Sequence, residues 1–293
     1  MELRHLRYFL AIAEELNVTR AAERLGIGQP PLSQQIRNLE RELGVDLFRR
    51  TAHGVLLTSA GEAFRVEAVR VLEDAARARR AAQQAGNGET GSLRLGFTAS
   101  AVFNPVVPAL IQRFKAAYPG VDVTLDEANS PSLVRRLLDE RLDAVFVRPG
   151  AVAVDGIALR PFPDEPMKLV VPATHAFAKR RRVALEALAA EAFVLVPGPA
   201  GATLYAEIVD ACRRAGFTPR LAQEAPQISS VINLVAAGLG LSIVPAAFEQ
   251  VRVQGVRYLD IDGMPAVARL ALATRERERE AVVANLVGLL QGA

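Results

Sequence analysis

The stretch "AERLGIGQPPLSQQIRNLERELG", residues 22–44, decides how the N-terminal part of the chain is read. It has helical character nearly throughout, yet Pro30 and Pro31 stand side by side inside it. A proline in a helix interior removes a hydrogen bond and clashes with the preceding turn. In the first turn the backbone N–H groups have no intrahelical partner, so proline forfeits nothing. A helix capped at Gly28 therefore begins with these prolines. Leu32, Ile36, Leu39 and Leu43 then recur at i, i+4, i+7 and i+11, the stripe of an amphipathic helix that runs to about Glu42 and stops at Gly44.

Working outward, residues 3–15 place Leu3, Leu6, Phe9, Leu10 and Ala13 on one face, which predicts a first helix. Asn17 caps a second over Val18–Leu25, and Gly26 supplies the permissive backbone of a sharp turn. The pattern is helix, turn, helix. Ser33, Gln34 and Arg37 face away from the leucine stripe, as on a helix that enters a major groove. Gln29, Ser33 and Gln34 suit base edges, Arg37 suits guanine or phosphate, and Pro30 and Pro31 form the helix start beside them. For any one of these residues an ordinary solvated face is the alternative.

After Gly44, Val45 and Leu47 alternate with polar neighbours, the chain turns at "AHG" (52–54), and Val55 and Leu57 return. This predicts a short hairpin wing, with Arg49, Arg50 and His53 placed for phosphates, a contact blind to sequence. His53 has no second histidine nearby and is no metal ligand. Thr58 or Ser59, with Glu62 following, predicts the start of a long helix. Over 60–85 its Phe64, Ala68, Val71, Leu72, Ala75 and Ala78 lie near heptad spacing, an apolar seam that favours a dimer.

"AGNGETGS" (85–92) reads as a linker, and the pattern then changes. Short β-branched runs at 93–97, 121–125, 143–147, 168–172, 192–197 and 240–245 alternate with helical segments at 105–118, 131–140, 203–215 and 229–238. That alternation predicts parallel, doubly wound sheets. A break near "RPFPDEP" (160–166) suggests two lobes. A ligand would sit beyond the strand C-termini, near Thr98–Asn104, Asn129–Ser132 and Arg148. Ser100 and Ser130 each precede a predicted helix, where free N–H groups and the helix dipole favour an anion. Plain helix capping is the alternative for both. Arg148 suits a ligand carboxylate, or equally a structural bridge to Asp126 or Glu127.

Length and composition fit this division. A chain of 293 residues is long enough for two or three compact units. Lys+Arg at 35 against Asp+Glu at 32 gives a formal net charge of +3, too slight a basicity to prove a nucleic-acid partner by itself. The single cysteine, Cys212, excludes an internal disulfide and a Cys-based metal cluster, so no metal and no cofactor is expected. Charges at Arg4, Arg7, Glu14 and Glu15 rule out a signal peptide, and the chain lacks the apolar run of roughly 20 residues that a bilayer requires. These features predict a cytoplasmic protein without a membrane partner. His5, His53 and His175 are scattered, and no nucleophile-elbow, Walker or dinucleotide fingerprint is present, which argues against an enzyme.

"MELRHLRYFLAIAEEL", "TRAAERLGIGQPPLSQQIRNLERELGVDLFRR" and "LLTSAGEAF" resemble the DNA-binding domain of LysR-type transcriptional regulators almost position for position. "LRLGF", "LLDERLDAVFV" and "LVAAGLGLSIVP" resemble that family's effector domain more weakly. The resemblance implies a winged helix-turn-helix over 1–58, a dimerising linker helix and hinge over 59–91, and an α/β effector-binding domain over 92–293 like a periplasmic binding protein. Within that domain it implies lobe I at 92–161 plus 266–293 and lobe II at 162–265. The activators of aromatic-acid and catechol breakdown share "QPPLS". In that subgroup small acids bind between the lobes, which carries the effector role to Ser100 and Ser130, with Thr203 and Gln227 facing them. The implied partners are an operator in double-stranded DNA, a small effector, a second copy in a homodimer or homotetramer, and RNA polymerase. Gln34 stands where the family often has arginine, so no operator sequence is carried over. A regulator of amino-acid or other metabolism and a ligand-independent architectural DNA-binding protein are the alternatives.

Overall fold

The computed structural model describes residues 1–52, 54–150 and 155–290, with residues 198–202 described as backbone only. The chain divides into two units, residues 1–84 and 85–293.

The first unit opens with α1 (Leu3–Glu15), α2 (Val18–Leu25) and α3 (Gln29–Leu43). Asn17 caps α2, its Oδ1 accepting from the amides of Thr19 at 2.9 Å and Arg20 at 3.1 Å. Gly26, in the left-handed region at φ 66°, turns the chain into α3. Helix α3 starts as the paired prolines require, with Gly28 as its cap and both prolines in the first turn. Its Leu32, Ile36 and Leu39 are buried with Leu6, Phe9 and Ile12 of α1 and Ala21 and Ala22 of α2. Burial of each large side chain contributes roughly 1.5–3 kcal/mol.

Strands β1 (Phe48–Thr51) and β2 (Gly54–Leu57) form the wing, antiparallel from Phe48 opposite Leu57 to Thr51 opposite Gly54. Two contacts fix it to the helices. Glu40 Oε1 of α3 accepts from the amides of Leu47 at 2.8 Å and Phe48 at 3.1 Å, and the Val55 amide donates to Leu16 O at 3.0 Å. Thr58 then caps α4 (Ser59–Gly86), its Oγ1 accepting from the Gly61 amide at 2.9 Å.

The predicted seam of α4 divides in two. Phe64, Ala68 and Leu72, four residues apart, pack into the core of their own unit rather than awaiting a partner. The large apolar residues left outside are Val66, Val69 and Val71, at 49%, 41% and 39% exposure, with Ala78 of the expected seam also exposed. Heptad spacing alone could not separate these faces, because both lie on one long helix.

The second unit continues with β3 (Thr90–Phe97), α5 (Val106–Ala117), β4 (Gly120–Glu127), α6 (Ser130–Leu138), β5 (Ala144–Val147) and β6 (Ile157–Pro161). The chain then crosses to β7 (Glu165–Pro172), β8 (Arg182–Ala184), β9 (Ala192–Leu195), α7 (Gly198–Arg214), β10 (Arg220–Glu224), α8 (Ile228–Ala236), β11 (Ser242–Pro245) and β12 (Val256–Asp262). It returns through β13 (Val267–Ala268) and β14 (Ala271–Arg275) to α9 (Ala281–Gly288).

One sheet has the order β4-β3-β5-β14-β6 and another β11-β7-β12-β8, with β13 beside β7 and a parallel β9–β10 pair alongside. The sheets are mixed, not the parallel ones predicted. β14 runs antiparallel to both β5 and β6, and β7 antiparallel to β11 and β12. The physical reason is the double crossover, by which the chain re-enters the first sheet from the opposite end. Leu93, Leu95, Phe114, Phe146, Leu272 and Leu286 are buried in the core of the first lobe. Leu169, Phe193, Ile243 and Leu259 are buried in the second.

Candidate nucleic-acid interface and interlobe cavity

On the exposed face of α3 the polar side chains form a ladder. Gln29 Nε2 donates to Ser33 Oγ at 2.8 Å, Arg37 to Gln34 Oε1 at 2.7 Å, and Gln34 Nε2 to Asn38 Oδ1 at 2.9 Å. Gln34 and Arg37 are thus held together on the exposed face of the helix. Pro30, Pro31, Arg49 and Arg50 are exposed in the same unit. His53 lies outside the described residues.

Gln35, by contrast, turns inward, and sequence reasoning missed its partner. Its Oε1 lies 2.8 Å from Nε2 of the buried His5, whose Nδ1 accepts from the Glu2 amide at 3.2 Å. With Nδ1 an acceptor, Nε2 carries the proton and donates to Gln35. The start of α1 is thereby tied to the middle of α3.

In the second unit a cavity of about 240 Å³ lies between the lobes. Thr98, Ala99, Ser100 and Glu127–Asn129 line it from the first lobe. From the second come Leu195, Val196, Leu204, Tyr205, Ile208, Pro226–Ile228, Val231 and Ser242–Val244. The second-lobe wall is mostly apolar, with Tyr205, Gln227 and Ser242 as its polar members, whereas the first lobe offers two hydroxyls, an amide and the Glu127 carboxylate.

Four of the predicted effector residues meet around one of their number. The Arg148 guanidinium is buried, its Nε donating to Ser100 Oγ at 2.8 Å and its terminal nitrogens to Ser100 O and Arg269 O, both at 3.1 Å. The Arg148 amide donates to Ser130 Oγ at 3.4 Å, and Thr203 Oγ1 donates to Arg148 O at 3.4 Å. Gln227 stands on the cavity wall, just before α8. Burial pushes the Arg148 pKa down to about 10, against the opposing field of the Glu165 carboxylate. Arg148 therefore remains a cation near neutral pH.

Several expectations are corrected here. Arg148 bridges neither Asp126 nor Glu127; Asp126 is instead paired with Arg136. Ser100 does not head a helix, because residues 98–105 form successive turns and α5 begins only at Val106. Ser130 is the first residue of α6, and the cap is Asn129, whose Oδ1 accepts from the Ser132 amide at 2.9 Å. Ser130, Arg148 and Thr203 stand behind the cavity wall, while Ser100 and Gln227 are on it. Thr98 and Asn129, at the strand ends where a ligand is expected, also line it, together with Glu127, Tyr205 and Ser242, which no sequence signal marked as ligand contacts.

Among the described residues, no group of three or more His, Cys, Asp or Glu side chains is placed to hold a metal ion, and no helix is long and apolar enough to cross a membrane.

Comparisons with known proteins cover the whole length. Residues 3–62 match the bacterial regulatory helix-turn-helix protein family, lysR type, and residues 86–293 match the LysR substrate binding domain. The transcriptional regulator BudR of Raoultella terrigena is 38% identical over 97% of this chain and 98% of its own length. TfdS of Cupriavidus pinatubonensis is 36% identical over 93% of this chain and 92% of its own. The crystal structure of the LysR family regulator CbnR superposes with a TM-score of 0.87 at 29% identity, covering 98% of this chain and 99% of that one. CbnR complexed with its target DNA superposes at 0.83 and 28% identity, covering 100% and 99%.

Proposed function

The chain belongs to the LysR family of transcriptional regulators, and we propose that a small carboxylate bound between its two lobes controls how it acts on DNA. It is a DNA-binding regulator with an α/β effector domain, not an enzyme. On the proposed division, residues 1–58 read DNA, 59–91 dimerise and 92–293 receive the effector. Gln29, Ser33, Gln34 and Arg37 take base edges, Pro30 and Pro31 set the helix at the groove, and Arg49, Arg50 and His53 hold phosphates. Ser100 and Gln227 meet the effector at the cavity wall, and Ser130, Arg148 and Thr203 back the site from behind.

One observation carries the carboxylate reading. Arg148 is a buried guanidinium with no carboxylate hydrogen-bonded to it among the described residues, and it spends its Nε on the hydroxyl oxygen of Ser100 at the cavity edge. The Ser100 Oγ also lies 3.5 Å from Thr98 Oγ1, so with one lone pair taken by Arg148 the two hydroxyls form a donor pair at the cavity edge, polarised by the charge behind it. Asn129 adds a donor on the same side. A carboxylate there faces neutral donors backed by a cation, with its apolar body against the second lobe. For such a ligand to regulate, it must bind one arrangement of the lobes more tightly than another.

The test is a thermal-shift screen of small carboxylic acids on the full chain. A ligand at 100 times its Kd stabilises by about 2.7 kcal/mol. A Ser100→Ala variant that responds like the parent removes the site, and a screen in which no acid shifts the transition removes the carboxylate reading.

A further inference from the structure

The charge distribution around the cavity goes further than the presence of an anion site. Resting on the carboxylate reading above, we infer that the effector is a one-headed anion, a monocarboxylate with an apolar body, and that Glu127 excludes dicarboxylates of the same size.

Three observations lead there. First, among the described residues none that lines the cavity is a lysine, arginine or histidine, and the only guanidinium bonded to a lining side chain is Arg148, behind Ser100. The positive field therefore enters at one end only. Second, the wall opposite is built mainly from Leu195, Leu204, Ile208, Val231 and Ile243, and its polar members Tyr205, Gln227 and Ser242 are neutral, so it holds no cation to balance a second carboxylate. An ionised group pressed against such a wall loses its hydration without a compensating charge.

Third, Glu127 lines the cavity at the end of β4, exposed, with no ion-pair partner among the described residues. The neighbouring acid Asp126 is paired with Arg136, whereas no arginine or lysine among the described residues is paired with Glu127. A second anionic end that avoids the apolar wall by turning outward meets this carboxylate. Like charges close together raise each other's energy most where water is partly excluded. A single anionic head at Ser100 avoids both penalties, and a cavity of about 240 Å³ suits a body no larger than one ring or a short chain.

The experiment is calorimetry on the full chain with matched probes: benzoate against terephthalate, hexanoate against adipate, and benzamide as the neutral isostere of benzoate. The expected result is at least tenfold tighter binding of each monocarboxylate than of its dicarboxylate partner, with the gap narrowing severalfold in Glu127→Gln. Dicarboxylates binding as tightly as monocarboxylates overturn the one-headed inference while leaving the carboxylate reading intact. A gap that Glu127→Gln leaves unchanged overturns the role of Glu127. Benzamide binding as well as benzoate, or no acid binding at all, overturns the carboxylate reading and this inference with it.

Discussion

Asn104 Nδ2 donates to Glu165 Oε2 at 3.1 Å, joining the turn that follows β3 to the first residue of β7. Both residues are buried, and the bond crosses from one lobe to the other. Glu165 Oε1 also accepts from the Ala247 amide of the second lobe. Beside it the rings of Phe103 and Phe248 lie 4.4 Å apart, so the turn that carries Ser100 is also the turn that anchors into the second lobe.

Removing Asn104 leaves half of a buried carboxylate without its donor. Asn104→Ala is therefore expected to lower stability by about 1–3 kcal/mol, the cost of an unsatisfied buried polar group. Urea unfolding measures this. Glu165→Gln in the Asn104→Ala background should cost less than in the parent, because the two effects share one bond. Strict additivity would show the pair to be uncoupled.

Arg148 supplies a prediction about pH. Its folded pKa of about 10 lies below the ordinary arginine range, so the folded state binds this proton less tightly than the unfolded chain does. The cost of burying the charge is then fully present below about pH 10 and is relieved only as the pH climbs from there through the arginine range. Arg148→Ala leaves Ser100 and Arg269 without their donors and should destabilise by about 1–3 kcal/mol. That loss should be the same at pH 6 and pH 9. A difference that changes across this interval would mean that Arg148 titrates near neutrality.

Gly61 tests the joint between wing and linker helix. A Cβ built there would stand 2.1 Å from Leu47 O, closer than any real contact. Alanine is ordinarily the better helix residue by about 1 kcal/mol, yet Gly61→Ala should destabilise the first unit by roughly 1–3 kcal/mol, as overpacking does. Gly86, near the end of the same helix, has open space around its Cβ position, so Gly86→Ala should be neutral or stabilising. Thermal melts followed by circular dichroism compare the two.

The exposed valines of α4 are the expected seat of self-association. Val66→Asp with Val69→Asp places charges where a partner helix would exclude water, and should dissociate the oligomer on sedimentation velocity. Leu72, which packs into the core of its own unit, should instead lose stability when changed to aspartate. An unchanged sedimentation coefficient for the valine pair would move the interface elsewhere.

These cases show why the two halves of the chain differ in legibility. The start of α3 is written locally: the cap, the paired prolines and the leucine spacing fall within sixteen residues, Gly28 to Leu43. The cavity is not local. Ser100, Asn129, Gln227 and Ser242 reach it from separate strands and turns, brought together only by the double crossover. β14 escaped notice because "ALATR" is rich in alanine, a weak strand former, and it takes its place from burial between β5 and β6. The role of Arg148 stayed open in the sequence because two acids lay within reach. Arg136, ten residues beyond Asp126, claims one of them.

The ladder on α3 sharpens the expectation for DNA. Gln34 accepts from Arg37 and donates to Asn38, so Gln34→Ala removes one reading group and frees two others to reorient. Selection from a random duplex library should then return a different preferred sequence, while affinity for non-specific DNA changes little. Arg50, exposed on the wing, has no such sequence-reading partner and faces phosphates on this reading. Arg50→Ala should weaken all sequences alike and flatten the log–log salt dependence by roughly one, the signature of a lost phosphate contact. The two variants are compared by fluorescence anisotropy on selected and random duplexes at several salt concentrations. Because the salt slope counts phosphates and the selected sequence reports base contacts, the measurements are independent. Equal losses on specific and random DNA for both variants would take Gln34 out of the reading role and leave α3 as a phosphate-binding element alone.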